Sequence, residues 1–193
     1  MKKVVYIIHG WDGSPKEPMH LWLKEELKKK RFKVIVPLMP GKSKPRIEKW
    51  IDKLNKIIKE PNENTFFIGH SIGCQAILRY LEQLKSDISI GGLVFVAPWM
   101  KLDKKTIKEE GEEVMKIAKS WEETPIDWNK VKIHANKVIC ILSDNDPYVP
   151  LSNAELFKEN LGAEIIIEHN KGHYTESDNV KENEIALNSL LEL

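Results

Sequence analysis

The chain has 193 residues, which is long enough for one domain with a substantial core and short for two. Its 30 Lys and Arg residues nearly balance its 29 Asp and Glu residues, so no strong field favours nucleic acid or a membrane as a partner. No apolar run approaches the roughly 20 residues that span a bilayer, and no small-residue cleavage site follows the first apolar run. We therefore expect a single domain, residues 1–193, in the cytoplasm.

The two cysteines agree with that location. Cys74 and Cys140 lie inside apolar runs, as core residues do, and they have neither metal-ligand spacing nor the pattern of a disulfide framework. A reducing compartment suits such cysteines. No motif indicates a metal or a cofactor, so we expect none.

Short apolar runs alternate with amphipathic segments along the first half of the chain. The unbroken run at Val4–Ile8 predicts a buried strand, because it has no polar face to present to water. A helix is predicted at 20–30 and a second strand at 32–36. Residues 45–60 form the clearest helix, with apolar side chains on one stripe and Pro45 suited to the first turn.

The same alternation continues to the end of the chain. Four further strands are predicted at 65–68, 92–97, 138–142 and 164–168, with helices at 72–84, 152–161 and 180–193. Repeated strand–helix alternation predicts an α/β protein, in which helices cover both faces of a mostly parallel sheet in a three-layer α/β/α sandwich.

Residues 99–136 interrupt this alternation. The segment is too long for a simple crossover and rich in charge, and it contains the Trp-bearing stretch "WEETPIDW". We predict a helix at about 104–119 followed by a turn. Two interpretations stay open, an elaborated crossover and a partial lid near the site.

A serine between two glycines marks the end of the third predicted strand, in the sequence Gly-His-Ser-Ile-Gly at 69–73. Such a match occurs by chance in about one chain in twenty of this length, so its position matters. A sharp strand-to-helix turn strains its central residue and leaves no room for flanking side chains. Because Gly69 and Gly73 remove those side chains, the Ser71 hydroxyl is predicted to stand clear at the top of the sheet as a nucleophile, and a plain turn residue is the less favoured interpretation.

A serine nucleophile needs a base to take its proton and a carboxylate to hold that base. In this architecture the base is expected on a loop after a late strand. His173, in "NKGHYTE", is the predicted base, and His169, at the end of the sixth strand, is the alternative. His134 precedes a strand, which puts it at the wrong edge of the sheet, and we interpret it as structural.

The acid is expected after the fifth strand, where the chain reads "SDNDPYVP". Asp144 and Asp146 are both candidates, and a plain Asp/Asn/Pro turn is the alternative interpretation. We predict Asp146, because Pro147 stiffens the loop just beyond it. The D-N-D spacing does not fit the alternate-position ligands of a calcium loop.

Two backbone amides are predicted to form the oxyanion hole. The Ile72 amide begins a helix and has no helical acceptor. The Trp11 amide lies in "HGWDGSP", after the first strand, where Gly10 and Gly13 allow close backbone approach. With a strand order of 2-1-3-4-5-6, the loops after strands one and three flank the crevice where open α/β sheets bind ligands.

Five aromatic and apolar residues follow strand ends on the same side. We expect an apolar substrate pocket there, although aromatic residues are also common in cores. Its predicted members are Trp11, Trp99, Met100, Tyr148 and Tyr174.

Together these motifs resemble the small α/β-hydrolases that include retinoblastoma-binding serine hydrolase and bacterial YdeN-like proteins. The resemblance covers essentially the whole chain and rests on "HGWDG", "PRIEKWIDKL", "GHSIGCQAILRYLE", "TPIDWNKVK", "SDNDPYVP" and "KGHYTE". It implies a shortened α/β-hydrolase fold of about six strands and a Ser71–Asp146–His173 triad. The L-x-C-x-E motif for retinoblastoma binding is absent, so a protein partner stays unknown.

The hypothesis from the sequence is therefore a serine hydrolase of carboxylesterase type that cleaves small ester or amide substrates through an acyl-enzyme. Two alternatives stay open. One is a protein-binding module of low activity on a hydrolase fold. The other is a thioesterase or acyltransferase that uses the same triad.

Overall fold

Six strands pair in one parallel sheet in a computed structural model of the chain, which describes residues 2–135 and 137–193. Two residues lie outside the described part of the chain. They are Met1, at the start of the predicted domain 1–193, and Asn136, at the end of the predicted segment 99–136. Within the described part the strands are β1 (Val4–Ile8), β2 (Lys33–Ile35), β3 (Thr65–His70), β4 (Gly92–Val96), β5 (Val138–Ser143) and β6 (Glu164–Glu168). The α-helices described there are α1 (Pro18–Lys29), α2 (Ile47–Ile57), α3 (Ile72–Leu81), α4 (Lys104–Glu109), α5 (Glu112–Glu123), α6 (Trp128–Lys132), α7 (Ser152–Leu161) and α8 (Glu184–Leu191).

The strand order is β2-β1-β3-β4-β5-β6, as the sequence predicted. β1 pairs with both β2 and β3, so the order reverses direction at β1. Because parallel crossovers are right-handed, this reversal places α1 and α3 on opposite faces. The register sets Ile8 opposite Gly69, which brings the loops after β1 and β3 side by side at the carboxyl edge of the sheet.

Apolar side chains fill the space between the sheet and the helices on both faces. β3, β4 and β5 are buried along their whole length, as unbroken apolar runs in a covered parallel sheet must be. α1 packs with α8, while α2 packs with α3, α3 with α6, and α6 with α7. The helices thus form the two outer layers of the predicted α/β/α sandwich.

Several predicted boundaries differ from the structure. α2 begins at Ile47 after the extended residue Arg46, so Pro45 lies before the cap and not in the first turn. The Pro45 carbonyl instead accepts a hydrogen bond from the Trp121 indole at 3.2 Å. The last helix begins only at Glu184, because the Asn183 side chain accepts the Ala186 amide at 2.8 Å and caps it.

The predicted helix at 104–119 is two helices. Gly111 separates α4 from α5 and has a φ of 105°, a conformation that L-residues with a side chain rarely adopt. α5 then continues through Trp121 to Glu123, and the turn before α6 is shorter than predicted. No described helix is long and apolar enough to cross a membrane.

Candidate active site

Ser71 lies at the tight turn between β3 and α3. Its φ of 54° and ψ of −124° lie outside the regions that residues with a side chain favour, which costs about 1–3 kcal/mol. A Cβ at Gly69 would lie 2.9 Å from the Cys74 backbone, and one at Gly73 would lie 2.4 Å from the Ile8 carbonyl oxygen. Only glycine fits at either position without a shift of the backbone, so this local sequence permits the strained turn.

Ser71, His173 and Asp146 form a continuous hydrogen-bonded chain. Ser71 Oγ lies 2.9 Å from His173 Nε2, and His173 Nδ1 lies 2.7 Å from Asp146 Oδ2. The other carboxylate oxygen of Asp146 accepts the amides of Tyr148 and Val149 at 2.8 and 3.0 Å. Only 1% of the Asp146 side chain is exposed, against 14% for His173. This geometry can orient an imidazole to take a proton from the serine hydroxyl.

Two polar side chains that sequence reasoning missed hold His173 in place, one from the loop after β5 and one from the segment after His173. Asn145 Oδ1 accepts the Gly172 amide at 2.8 Å, and Asp178 Oδ2 accepts the His173 amide at 3.0 Å. Gly172 has a φ of 55°, and its Cβ position is filled by the Asp178 carboxylate. Asn145 stands inside the quoted "SDNDPYVP", so its place beside the predicted acid was the available signal.

Asp144 and His169, the alternative acid and base, pair with each other instead. His169 Nδ1 lies 2.5 Å from Asp144 Oδ2, and 82% of the His169 side chain is exposed. The Asn170 amide and then His169 donate to the Asp144 carboxylate, which lowers the pKa of Asp144. The structure therefore brings Asp146 and His173 to Ser71 and holds the second pair at the surface.

His134 lies away from this edge, as interpreted from the sequence. Its ring is buried, and its Nδ1 lies 2.7 Å from the Ile88 carbonyl oxygen in the segment before β4. The geometry gives it a structural contact with the backbone.

The loop after β1 is held in one conformation by a buried histidine. His9 Nε2 accepts the Met39 amide at 2.9 Å, so the ring proton is on Nδ1, which donates to the Gly10 carbonyl at 2.8 Å. Burial lowers the pKa of His9, in keeping with this neutral form. The Trp11 indole donates to the Ser43 carbonyl at 3.0 Å and fixes the tip of the loop.

The Trp11 and Ile72 amides are both unpaired among the described residues. The Ile72 amide is the first of α3, where no helical acceptor exists. Trp11 stands next to Gly10, whose Cβ position lies 3.3 Å from the Ser71 Cβ. Two free backbone donors thus stand on loops that flank the serine.

Trp99 contacts the serine directly. Its indole Nε1 donates to Ser71 Oγ at 3.3 Å, and its carbonyl accepts the buried Gln75 side chain at 3.0 Å. Trp99 is only 1% exposed, so its indole N–H is a fixed donor. The sequence predicted Trp99 as a pocket residue but gave no signal for this hydrogen bond.

Ser71 opens into a cavity of about 490 Å³. Trp11, Trp99 and Tyr148, three members of the predicted substrate pocket, line it. Met100 and Tyr174 do not, and this part of the predicted pocket is corrected. The Met100 amide donates to Asn153 Oδ1, and Tyr174 is 1% exposed and lines a separate cavity of about 360 Å³.

The apolar wall of the cavity comes from the segment after β4. Its members are Leu102, Ile107, Val114 and Ile117, all missed by the sequence analysis. The spacing of Val114 and Ile117 on one face of α5 was the available signal. Tyr148 ties this wall to the loop of Asp146, because its hydroxyl donates to Glu110 at 2.9 Å and its carbonyl accepts the Asp103 amide at 2.8 Å.

One group of potential metal ligands exists among residues 2–135 and 137–193. Glu17, His20 and His70 each offer one ligand atom, and these atoms lie within 4.8 Å of one another. Burial lowers the pKa of His20 to about 4 and holds the pKa of His70 well below its usual range. Both imidazoles are therefore neutral near pH 7 and have a free lone pair.

A doubly wound parallel sheet with a strained serine at the turn after β3, hydrogen-bonded to a histidine after β6, defines an α/β-hydrolase. The chain belongs to the serine hydrolase family, whose sequence model matches residues 5–191. It is a hydrolase by this membership, and the family resemblance inferred from the motifs is confirmed.

Known proteins are similar to this chain over nearly its whole length. The YdeN protein of Bacillus subtilis (strain 168) is 29% identical over 178 residues, which cover 92% of this chain and 89% of that protein. The crystal structure of the ydeN gene product superposes with a TM-score of 0.87 over 99% of this chain and 98% of that one, at 28% identity. Serine hydrolase RBBP9 of Rattus norvegicus is 23% identical over 88% of this chain and 81% of its own length.

More distant structures share the fold. Est1E from Butyrivibrio proteoclasticus superposes with a TM-score of 0.68 over 99% of this chain and 88% of that one, at 17% identity. At this identity the likeness supports the α/β-hydrolase fold alone.

Proposed function

We propose that the chain is a carboxylesterase-like serine hydrolase that cleaves small ester or amide substrates through a covalent acyl-enzyme. The observation that carries the proposal is the hydrogen-bonded chain from Ser71 Oγ through His173 to Asp146, with distances of 2.9 and 2.7 Å. Such a chain raises the nucleophilicity of a hydroxyl that is otherwise a poor nucleophile near pH 7.

In the first half of the reaction the Ser71 oxygen attacks the substrate carbonyl carbon while His173 Nε2 takes the hydroxyl proton. Asp146 stabilises the imidazolium that forms. The carbonyl oxygen becomes an oxyanion, which accepts hydrogen bonds from the Trp11 and Ile72 amides. His173 then gives the proton to the leaving alcohol or amine, and the acyl group stays on Ser71.

In the second half water attacks the acyl carbon, and His173 takes a proton from that water. Collapse of the second tetrahedral intermediate releases the carboxylic acid, and the proton returns to the Ser71 oxygen. Each oxyanion donor is worth about 3 kcal/mol, or about a hundredfold in rate, because the donors are already oriented toward the developing charge.

The proposed substrate is a small molecule whose apolar acyl group packs on the wall formed by Leu102, Ile107, Val114 and Ile117. The segment 99–135 then acts as a partial lid, because α4 and α5 carry this wall over the serine. Neither nucleic acid nor a membrane is proposed as a partner. A cytoplasmic location is proposed from the two buried free cysteines.

The test is the Ser71→Ala variant. Fluorophosphonate labelling should be abolished and hydrolysis of p-nitrophenyl esters should fall at least about a thousandfold, because no other oxygen occupies the nucleophile position. Far-ultraviolet circular dichroism checks that the variant is folded, and Ser43→Ala at the cavity rim serves as the matched control that keeps its labelling.

The alternatives predict different outcomes of the same measurements. Labelling that persists in Ser71→Ala would show that Ser71 is not the nucleophile. A wild-type chain that fails to react with phosphonates would favour a binding module. A panel of p-nitrophenyl esters, aminoacyl amides and acyl thioesters, with and without an acceptor alcohol, distinguishes an esterase or amidase from a thioesterase or acyltransferase.

A further inference from the structure

Three side chains form a second polar cluster beside Ser71 that the proposed hydrolytic reaction does not use. Glu17 and His70 line the same cavity as Ser71, and His20 lies behind them with no exposed surface. The rings of His20 and His70 are in edge contact, with their centroids 5.9 Å apart. A buried pair of imidazoles beside a carboxylate needs an explanation, because unpaired buried polar atoms are costly.

Hydrogen bonds to backbone carbonyls determine the tautomer of both rings. His20 Nδ1 lies 3.1 Å from the Ser14 carbonyl oxygen, and His70 Nε2 lies 2.8 Å from the His173 carbonyl oxygen. A carbonyl oxygen only accepts, so each of these nitrogens carries the ring proton. The opposite nitrogens, His20 Nε2 and His70 Nδ1, therefore present lone pairs, and both are buried and unpaired among the described residues.

Glu17 supplies a third potential ligand, because one ligand atom each of Glu17, His20 and His70 lie within 4.8 Å of one another. Its Oε1 accepts the Ser14 amide at 2.8 Å, and its Oε2 lies 3.3 Å from His20 Nδ1, the nitrogen that carries the ring proton. A cation would satisfy both unpaired imidazole nitrogens together with a carboxylate oxygen of Glu17.

We propose that Glu17, His20 and His70 bind one divalent transition-metal ion of the zinc class. Two neutral imidazoles and one carboxylate form a donor set that such ions favour, and a ring N–H held by a backbone carbonyl is the usual support of a metal-bound histidine. The sequence analysis expected no metal, because positions 17, 20 and 70 form no local ligand motif.

The site needs only a small adjustment to close around the ion. The three ligand atoms lie within 4.8 Å of one another, whereas ligands at about 2.0–2.1 Å from a tetrahedral zinc ion lie about 3.3 Å apart. Glu17 lines the cavity with 30% of its side chain exposed, so it is the ligand with room to move. Because Glu17 and His70 line the cavity, a water molecule would fill the fourth position.

The ion would join α1 to the end of β3. His20 belongs to α1, and His70 directly precedes Ser71 and donates to the carbonyl of His173. Binding therefore stabilises the folded chain whether or not hydrolysis occurs. At a free concentration of 100 times the dissociation constant, the melting temperature should rise by about 5–10 °C.

The experiment measures zinc binding to the full chain after treatment with a chelator. Equilibrium dialysis with elemental analysis should give one Zn²⁺ per chain, and differential scanning fluorimetry should give the rise in melting temperature. Glu17→Gln and His20→Gln should each weaken binding by about tenfold or more. Ser71→Ala should bind zinc as the wild type does, which separates this proposal from the proposed function.

Two histidine variants serve as controls. His134 is also a buried ring whose Nδ1 faces a carbonyl and whose Nε2 is unpaired within residues 2–135 and 137–193, but it has no neighbouring ligands in that range. His134→Gln should leave zinc binding unchanged, and so should His169→Gln at the surface.

Three outcomes would overturn the proposal. They are a wild-type chain without zinc binding, undiminished binding in Glu17→Gln, and binding lost only in His169→Gln. If His20→Gln does not fold, Glu17→Gln at the cavity wall still decides, because its side chain is only partly buried.

Discussion

At the scale of single residues, the site depends on which of two acid–histidine pairs reaches the serine. The two acids, Asp144 and Asp146, lie two residues apart in the loop after β5. The two histidines, His169 and His173, lie four residues apart in the loop after β6. Asp146 is buried and accepts two backbone amides, whereas His169 of the other pair is largely exposed. Water competes little for the hydrogen bonds of the buried pair. These bonds can therefore hold the His173 ring in line between Asp146 and the Ser71 hydroxyl.

Asp146→Asn should lower kcat for ester hydrolysis by about a thousandfold to ten-thousandfold. An amide in this position favours the wrong tautomer of His173, while the geometry stays intact. Asp144→Asn is the matched control and should keep kcat within about twofold. Steady-state kinetics on p-nitrophenyl acetate measure both, and a larger loss in Asp144→Asn than in Asp146→Asn would contradict the assignment.

At the scale of elements, one buried arginine connects the serine helix to the proposed lid. Arg79 on α3 donates to the carbonyls of Trp121, Thr124 and Pro125 at 2.9, 2.7 and 3.2 Å, and thereby caps the end of α5. Burial lowers the pKa of Arg79 to about 10, which leaves it charged near pH 7. A cation at a helix C-terminus is favourable, because the carbonyls there lack helical donors.

Arg79→Met should reduce the free energy of unfolding by about 2–4 kcal/mol. The variant leaves three backbone carbonyls of the α5 end without their donor, and these are partly or fully buried. Urea denaturation measures the loss, and hydrogen exchange should rise in α5 before it rises in the central strands.

Arg46→Met is the matched control for this prediction. Arg46 pairs with Glu48 at the surface and is 68% exposed, so its loss should change the unfolding free energy by no more than about 0.5 kcal/mol. Equal losses in the two variants would show that Arg79 acts only as a surface charge.

At the scale of the whole molecule, the cavity is assembled from six separate parts of the chain. The loops after all six strands converge at the carboxyl edge of the sheet, and α4 and α5, in the segment after β4, add the apolar wall. A parallel sheet brings all of these loops to one edge, because every strand ends there. The shape of the cavity therefore depends on how the segment after β4 packs over that edge.

Ile117→Trp should shorten the acyl chain that the enzyme accepts. The larger ring fills part of the apolar wall, so kcat/KM for a p-nitrophenyl hexanoate should fall about tenfold or more relative to the acetate. Ile133→Trp, at an exposed position outside the cavity, should leave this ratio unchanged. An unchanged ratio in Ile117→Trp would place the acyl group elsewhere.

Much of the architecture was predictable because it follows from short-range patterns. Unbroken apolar runs predicted six strands, two with the observed bounds, and the alternation with helices predicted a parallel sheet covered on both faces. The errors concern helix ends at Pro45, Gly111 and Asn183. In each case one local contact or backbone angle overrides the apolar periodicity, as tertiary structure does with weak propensities.

The sequence by itself determined the strained serine turn, because Gly69 and Gly73 are neighbours of Ser71 and steric exclusion acts within a few residues. It also limited the candidates for the catalytic acid to Asp144 and Asp146 and the candidates for the base to His169 and His173, because these residues follow late strands. Their catalytic roles stay predictions until the variants are measured.

Only the tertiary structure decided which candidates meet. It brought His173 to Ser71, placed Tyr174 in a separate cavity, built the cavity wall from α4 and α5, and gathered Glu17, His20 and His70. Distances between residues far apart in the chain depend on how the whole core packs, and no local pattern encodes them.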